Sequence, residues 1–187
     1  LHSDDKSHPG YRKLKAVAAT AAAIASLAAL SAVPAQAQNG GTGASASNAP
    51  KGHAKLVHGK AIAPSDAPRR IVKVIKAANH IRNKPYKWGG GHGRWNDSGY
   101  DCSGSVSYAL HGGHLLATPM ASGGLMHWGH GGKGRWITVY SNSGHAFMVV
   151  AGLRFDTSMT AGNGPGWSKN VHAERLGDFR KRHKSHY

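Results

Sequence analysis

The 187-residue chain has a single cysteine, Cys102, so no disulfide can form within it and its core must stand on packing alone. Acidic side chains are scarce. There are 8 Asp+Glu against 24 Lys+Arg, which gives a formal charge of +16 and a sequence pI near 10.4. Such a surface favours polyanionic partners, and charge alone does not choose among nucleic acid, anionic lipid and acidic wall polymers. Strongly hydrophobic runs are missing too. The stretch Ala16 to Val33 carries no charge but is alanine-rich and only weakly apolar, whereas a stable membrane span takes about 20 strongly apolar residues. Gly89-Gly90-Gly91-His92-Gly93 lacks the Lys-Ser/Thr that a phosphate-binding loop needs. No internal repeat and no second domain is evident.

Residues 11–37 have the three-part order of a secretory signal peptide. Tyr11-Arg12-Lys13-Leu14-Lys15 is basic, the uncharged run follows, and Ala35-Gln36-Ala37 has the small-x-small form that signal peptidase accepts. Cleavage after Ala37 is expected, with a retained anchor as the competing reading. No paired arginines precede the run, which points to the general secretion route. Residues 1–10 read as an upstream extension. Removing residues 1–37 takes away four Lys/Arg and two Asp, leaving 20 basic and 6 acidic groups, a formal +14. The exported chain therefore stays basic. A cell-wall or extracellular location favours teichoic-acid-like polymers, peptidoglycan carboxylates or anionic lipid as partners over DNA or RNA. No stable membrane insertion is expected after cleavage.

Residues 38–65 are rich in Gly, Ala, Ser, Asn, Pro and Lys and read as a flexible linker. The folded domain is expected over 66–177. Asp66-Ala67-Pro68 has the form of a helix start, and Ile71, Val74, Ile75, Ala78 and Ile81 recur at helical spacing. That helix should end by Asn83-Lys84-Pro85, and a glycine-rich loop should follow from Trp88 to Gly99. A second helix is predicted from Cys102 to about Leu110, and a short one around Ser122–Trp128. Then the period changes. Trp136–Tyr140, Ala146–Val150 and Leu153–Thr157 are β-branched or aromatic runs set apart by turn residues, as in an antiparallel meander. Helices first and strands after indicate an α+β domain. Residues 178–187, with Arg180-Lys181-Arg182-His183-Lys184, read as a solvated basic tail that tethers the chain to anionic wall polymer.

Cys102 stands in a polar, small-residue setting and at a predicted helix N-terminus. There the aligned peptide dipoles favour thiolate, and free N–H groups suit an oxyanion. A thiolate nucleophile needs a base that returns a proton to the leaving amine, and histidine suits neutral pH. Of 14 histidines, His145 differs by position, because it opens the predicted strand through Val150. A third group should orient the imidazole. With so few acids available, Asp156 on the next strand is the first choice, and its alternative role is to pair with Arg154. His127-Trp128-Gly129-His130 has a possible metal spacing but no evident third ligand. No metal and no cofactor is expected.

Three blocks, in order, carry a family resemblance. Lys84-Pro85-Tyr86-Lys87-Trp88-Gly89-Gly90-Gly91 resembles the PYxWGG loop of the NlpC/p-sixty cell-wall cysteine peptidases. Tyr100-Asp101-Cys102-Ser103-Gly104 resembles their DCSG nucleophile motif, and Gly144-His145-Ala146-Phe147-Met148-Val149 their histidine strand. The resemblance covers roughly residues 68–158. It implies a papain-like α+β fold in which helices carry the cysteine and an antiparallel sheet carries the histidine. It implies hydrolysis of amide bonds in peptidoglycan stem peptides, of the D-glutamyl–diamino acid type, by Cys102 and His145. By the same resemblance Tyr86, Asp101 and Ser103 bind substrate, the last two at its free amino end. The family's third polar residue is usually His, Asn or Gln, where this chain offers Asp156 or Thr157, and Ser105 stands where the family often has an apolar residue. Two other readings stand beside the peptidase: a non-catalytic cationic wall-binding protein of the same fold, and a papain-like amidase or acyltransferase on another substrate.

Overall fold

The computed structural model describes residues 52–159, 162–172 and 178–187. The expected signal peptide and the first part of the expected linker lie outside the described residues. Two short strands, β1 (Lys55–Val57) and β2 (Lys60–Ile62), come first and form an antiparallel hairpin. Helices α1 (Arg69–Ile81), α2 (Cys102–Gly112) and α3 (Ser122–Leu125) follow. Strands β3 (His130–Gly131), β4 (Ile137–Ser141), β5 (Ala146–Val150) and β6 (Leu153–Asp156) come next, then a 3-10 turn over Thr157–Met159, and finally β7 (Gly166–Ser168) and β8 (Arg180–His183). β3 to β8 make one antiparallel sheet in the order β3-β8-β4-β5-β6-β7. This is the α+β architecture that the order of periods predicts.

α1 forms because nothing within it breaks a helix and its apolar residues make one stripe. Ile71, Val74, Ile75, Ala78 and Ile81 are all buried, and each buried Ile or Val contributes about 1.5–3 kcal/mol. The opposite stripe holds Arg69, Arg70, Lys73 and Lys76 in solvent. α2 is different: Cys102 through Ser107, Ala109 and Leu110 are all buried. Its small residues let neighbours come close on nearly every side. Gly104 shows this most sharply, since a Cβ there would lie 2.0 Å from the Gly90 carbonyl oxygen. The glycine-rich loop is thereby laid directly on the first turn of α2. Ser105 is fully buried and satisfied, its hydroxyl donating to the Cys102 carbonyl at 2.8 Å.

Two boundaries differ from the sequence reading. The expected linker 38–65 contains the β1–β2 hairpin, whose turn places His58 and Gly59 at φ 46° and 72°, as a two-residue hairpin turn requires. Asn79 of α1 clamps this hairpin, accepting from Ala61 N at 3.0 Å and donating to Ala61 O at 2.7 Å. The domain therefore begins before Asp66. At the other end, 180–183 is not a solvated tail but strand β8, between β3 and β4, with Val139 opposite Arg182. Strand pairing uses the backbone, so a run of cations can join a sheet while its side chains stay partly in water. The Arg182 guanidinium also donates to the carbonyls of Trp128 at 3.0 Å and Gly129 at 2.7 Å. Deleting 178–187 is accordingly expected to lower the melting temperature by more than about 10 °C. A circular-dichroism melt that matches the full-length chain would restore the solvated-tail reading.

Candidate active site

The sheet brings two of the expected residues together by register. β5 and β6 pair with Met148 opposite Phe155, which sets Asp156 opposite Phe147 and puts His145, two residues further back, on the same face. His145 precedes the first residue of β5, where its backbone N–H donates to Asn142 Oδ1 at 2.8 Å. Its ring Nε2 meets Asp156 Oδ1 at 2.9 Å. Nδ1 is thus the ring nitrogen not engaged by Asp156. Of the two third-residue options, Asp156 contacts the imidazole, while Thr157 donates its backbone N–H to Asp156 Oδ1 at 2.6 Å.

Asp156 is fully buried and heavily bonded. Arg154 Nε donates to its Oδ2 at 3.0 Å, a terminal guanidinium nitrogen of Arg154 binds the same oxygen, and Ser158 Oγ lies 3.1 Å from it. Asp156 thus contacts both His145 and Arg154, one on each oxygen. Burial pushes the carboxyl up, but the hydrogen bond and charge of His145 and the charge of Arg154 outweigh it and hold it below the usual range. Burial likewise disfavours a charged His145, yet hydrogen bonding to Asp156 and Cys102, with their negative charges, raises the ring to about 9. The His145 ring beside Cys102 is therefore biased toward its protonated form.

Cys102 is the first residue of α2 and is 9% exposed. Asp101 caps the helix, accepting from Gly104 N at 2.6 Å. The same Oδ1 receives the Ser103 hydroxyl at 3.2 Å and meets His92 Nε2 at 3.0 Å, and Oδ2 accepts from Gly89 N at 3.1 Å. His92 Nε2 also lies 3.2 Å from Ser103 Oγ. Asp101 and Ser103 are thus in contact, joined by His92, which the sequence reading did not single out. A signal was present: His92 is the one imidazole between Pro85 and Cys102. Tyr86 stands at the edge, 40% exposed. Burial raises its hydroxyl pKa first, and the nearby negative charges of Cys102 and Asp101 add to the effect. The loop itself is pinned by Lys87 Nζ and Asp97 Oδ1 at 2.8 Å.

A helix-borne thiol facing a histidine on an antiparallel sheet is the layout that the motif resemblance to the NlpC/p-sixty peptidases implies, with Asp156 where that family usually has His, Asn or Gln. No family model and no curated protein matches the chain. Among solved structures, the chain is similar to the p60 domain of an antigen of M. avium subspecies paratuberculosis. The identity is 26% over 61% of this chain and 94% of that one, with a TM-score of 0.49. It is also similar to the peptidoglycan hydrolase RipB of Mycobacterium tuberculosis, at 27% identity over 63% of this chain and 69% of that one, with a TM-score of 0.48.

Proposed function

We propose that this chain is an exported cysteine peptidase that hydrolyses amide bonds in peptidoglycan stem peptides. The observation that carries the reading is the His145 ring, bonded to buried Asp156 at 2.9 Å and set beside Cys102 at a helix N-terminus. That arrangement supports a thiolate–imidazolium pair as the resting state. Cys102 Sγ attacks the carbonyl carbon, and the oxyanion forms beside the first-turn N–H groups of α2. His145 gives its proton to the nitrogen as the C–N bond breaks, and the amine leaves. Water then attacks the thioester and yields a proton to His145. The C–S bond breaks, and the ion pair is restored as the acid departs. Asp101 and Ser103 hold the free amino end of the stem peptide, Tyr86 binds substrate beside the nucleophile, and the bond cut is of the D-glutamyl–diamino acid type.

The test is mass spectrometry of peptidoglycan incubated with residues 38–187, beside a Cys102→Ala control. New stem-peptide fragments are expected only with the unaltered chain. Intact fragments in both samples, from folded protein and several wall types, would instead favour the cationic wall-binding protein or an amidase or acyltransferase with another substrate.

A further inference from the structure

Away from the cleft, a belt of unneutralised cations runs along the outer face of α1. Lys60, Lys73, Lys76 and Arg82 line a groove of about 750 Å³. His114 also lines it, and lines a second concavity of about 300 Å³ with Arg70, His130 and Lys184. Among the described residues, no acidic one lines either concavity. The ion pairs among the described residues involve Lys87, His92, His145 and Arg154, none of which belongs to the belt. Three of the chain's 8 acids, Asp97, Asp101 and Asp156, sit instead at the cleft and the loop beside it. Charge is therefore segregated between the two regions. Tyr108 and Gly112 of α2 also line the groove. It thus begins more than one helical turn from Cys102 and reaches the far end of α2, about 15 Å away at 1.5 Å per residue.

We infer that this belt is a docking groove for a linear phosphodiester polymer of the cell wall, separate from the peptidase site. The partner's location in the wall rests on the proposed function, whereas the groove's affinity for such a polymer does not. Linked concavities suit a chain that is followed along its length. A membrane fits less well, because the one large apolar side chain exposed on α1 is Val72, and interfacial binding needs a buried apolar face. Single-stranded nucleic acid fits less well too. The tyrosines that line the two concavities, Tyr108 and Tyr187, are half-buried, and His80 of the groove is stacked on Tyr108, so few open ring faces are left for successive bases to stack on.

The test compares three exported-form proteins: unaltered, Lys60→Gln/Lys73→Gln/Lys76→Gln, and Arg94→Gln/Lys133→Gln/Lys169→Gln. The last removes equal charge outside the two concavities. Binding to purified poly(glycerol phosphate) is measured by calorimetry across a salt series. The groove variant is expected to bind at least about tenfold more weakly and with a shallower salt dependence, while the control changes by less than about threefold. Equal losses in the two variants, or no binding by the unaltered chain, would overturn the groove. Tighter binding of the unaltered chain to single-stranded DNA or to phosphatidylglycerol vesicles, lost in the groove variant, would overturn the polymer as its partner. Matching melting curves and stem-peptide cleavage rates for the three proteins keep a binding result distinct from a folding or catalytic one.

Discussion

Replacing Asp156 by Asn is expected to lower kcat/KM by about 10²–10⁴-fold, the range seen when the carboxylate that orients a catalytic imidazole is neutralised. Asn keeps the shape but loses the Asp156 charge that, with hydrogen bonding and with Cys102, raises His145 to about 9. The active form proposed here needs the imidazolium, so activity in the unaltered enzyme falls as pH rises through about 9. In the variant that alkaline limb should move down toward the ordinary imidazole value of about 6.5. The signs for stability follow from the same pair. The raised His145 contributes fully below about 6.5, and its contribution is lost as pH climbs through its folded value near 9. The lowered Asp156 contributes above the ordinary carboxylate range, and its contribution is lost as pH falls. A kcat/KM profile whose alkaline limb stays near 9 in the variant would remove Asp156 from this role.

Arg154→Leu is expected to destabilise the domain by about 3–5 kcal/mol, because removing one partner of a buried ion pair leaves the other charge uncompensated. Arg154 and Asp156 are both buried, and the guanidinium lies 4.1 Å from the centre of the Phe147 ring while donating to the His172 carbonyl at 3.1 Å. Leu can fill part of the volume but can make none of these bonds. Arg154→Lys keeps the charge without the planar fork and should recover only part of the loss. Denaturant titration of the three proteins checks this. A Leu variant within about 1 kcal/mol of the parent would mean that the pair's desolvation cancels its attraction.

Much of this was readable in the chain because it is local. The stripe from Ile71 to Ile81 needs only 3.6-residue periodicity, and it is buried as expected. The start of α2 at Cys102 follows from a capping Asp and small residues, and Asp101 does cap it. The meander is legible from β-branched runs separated by turns, with Ala146–Val150 matching residue for residue. The β1–β2 hairpin was not legible, because three-residue strands with one buried side chain, Ala61, carry too little pattern. Nor was β8, whose composition reads as solvated charge.

The sequence by itself determined the class of the domain, the identity of its one thiol and the short roster of groups able to serve that thiol. The tertiary structure alone decided which of them meet. It set His145 against Asp156 through strand register, gave Asp156 its second partner in Arg154, and brought His92 to Asp101 across a loop. It also gathered Lys60 from the hairpin and Lys184 from beyond β8 into the cationic belt along α1. Periodicity and composition report on neighbours within a helical turn or along a strand. Contacts that cross a hairpin or a loop depend on backbone pairing and packing, which no local pattern encodes.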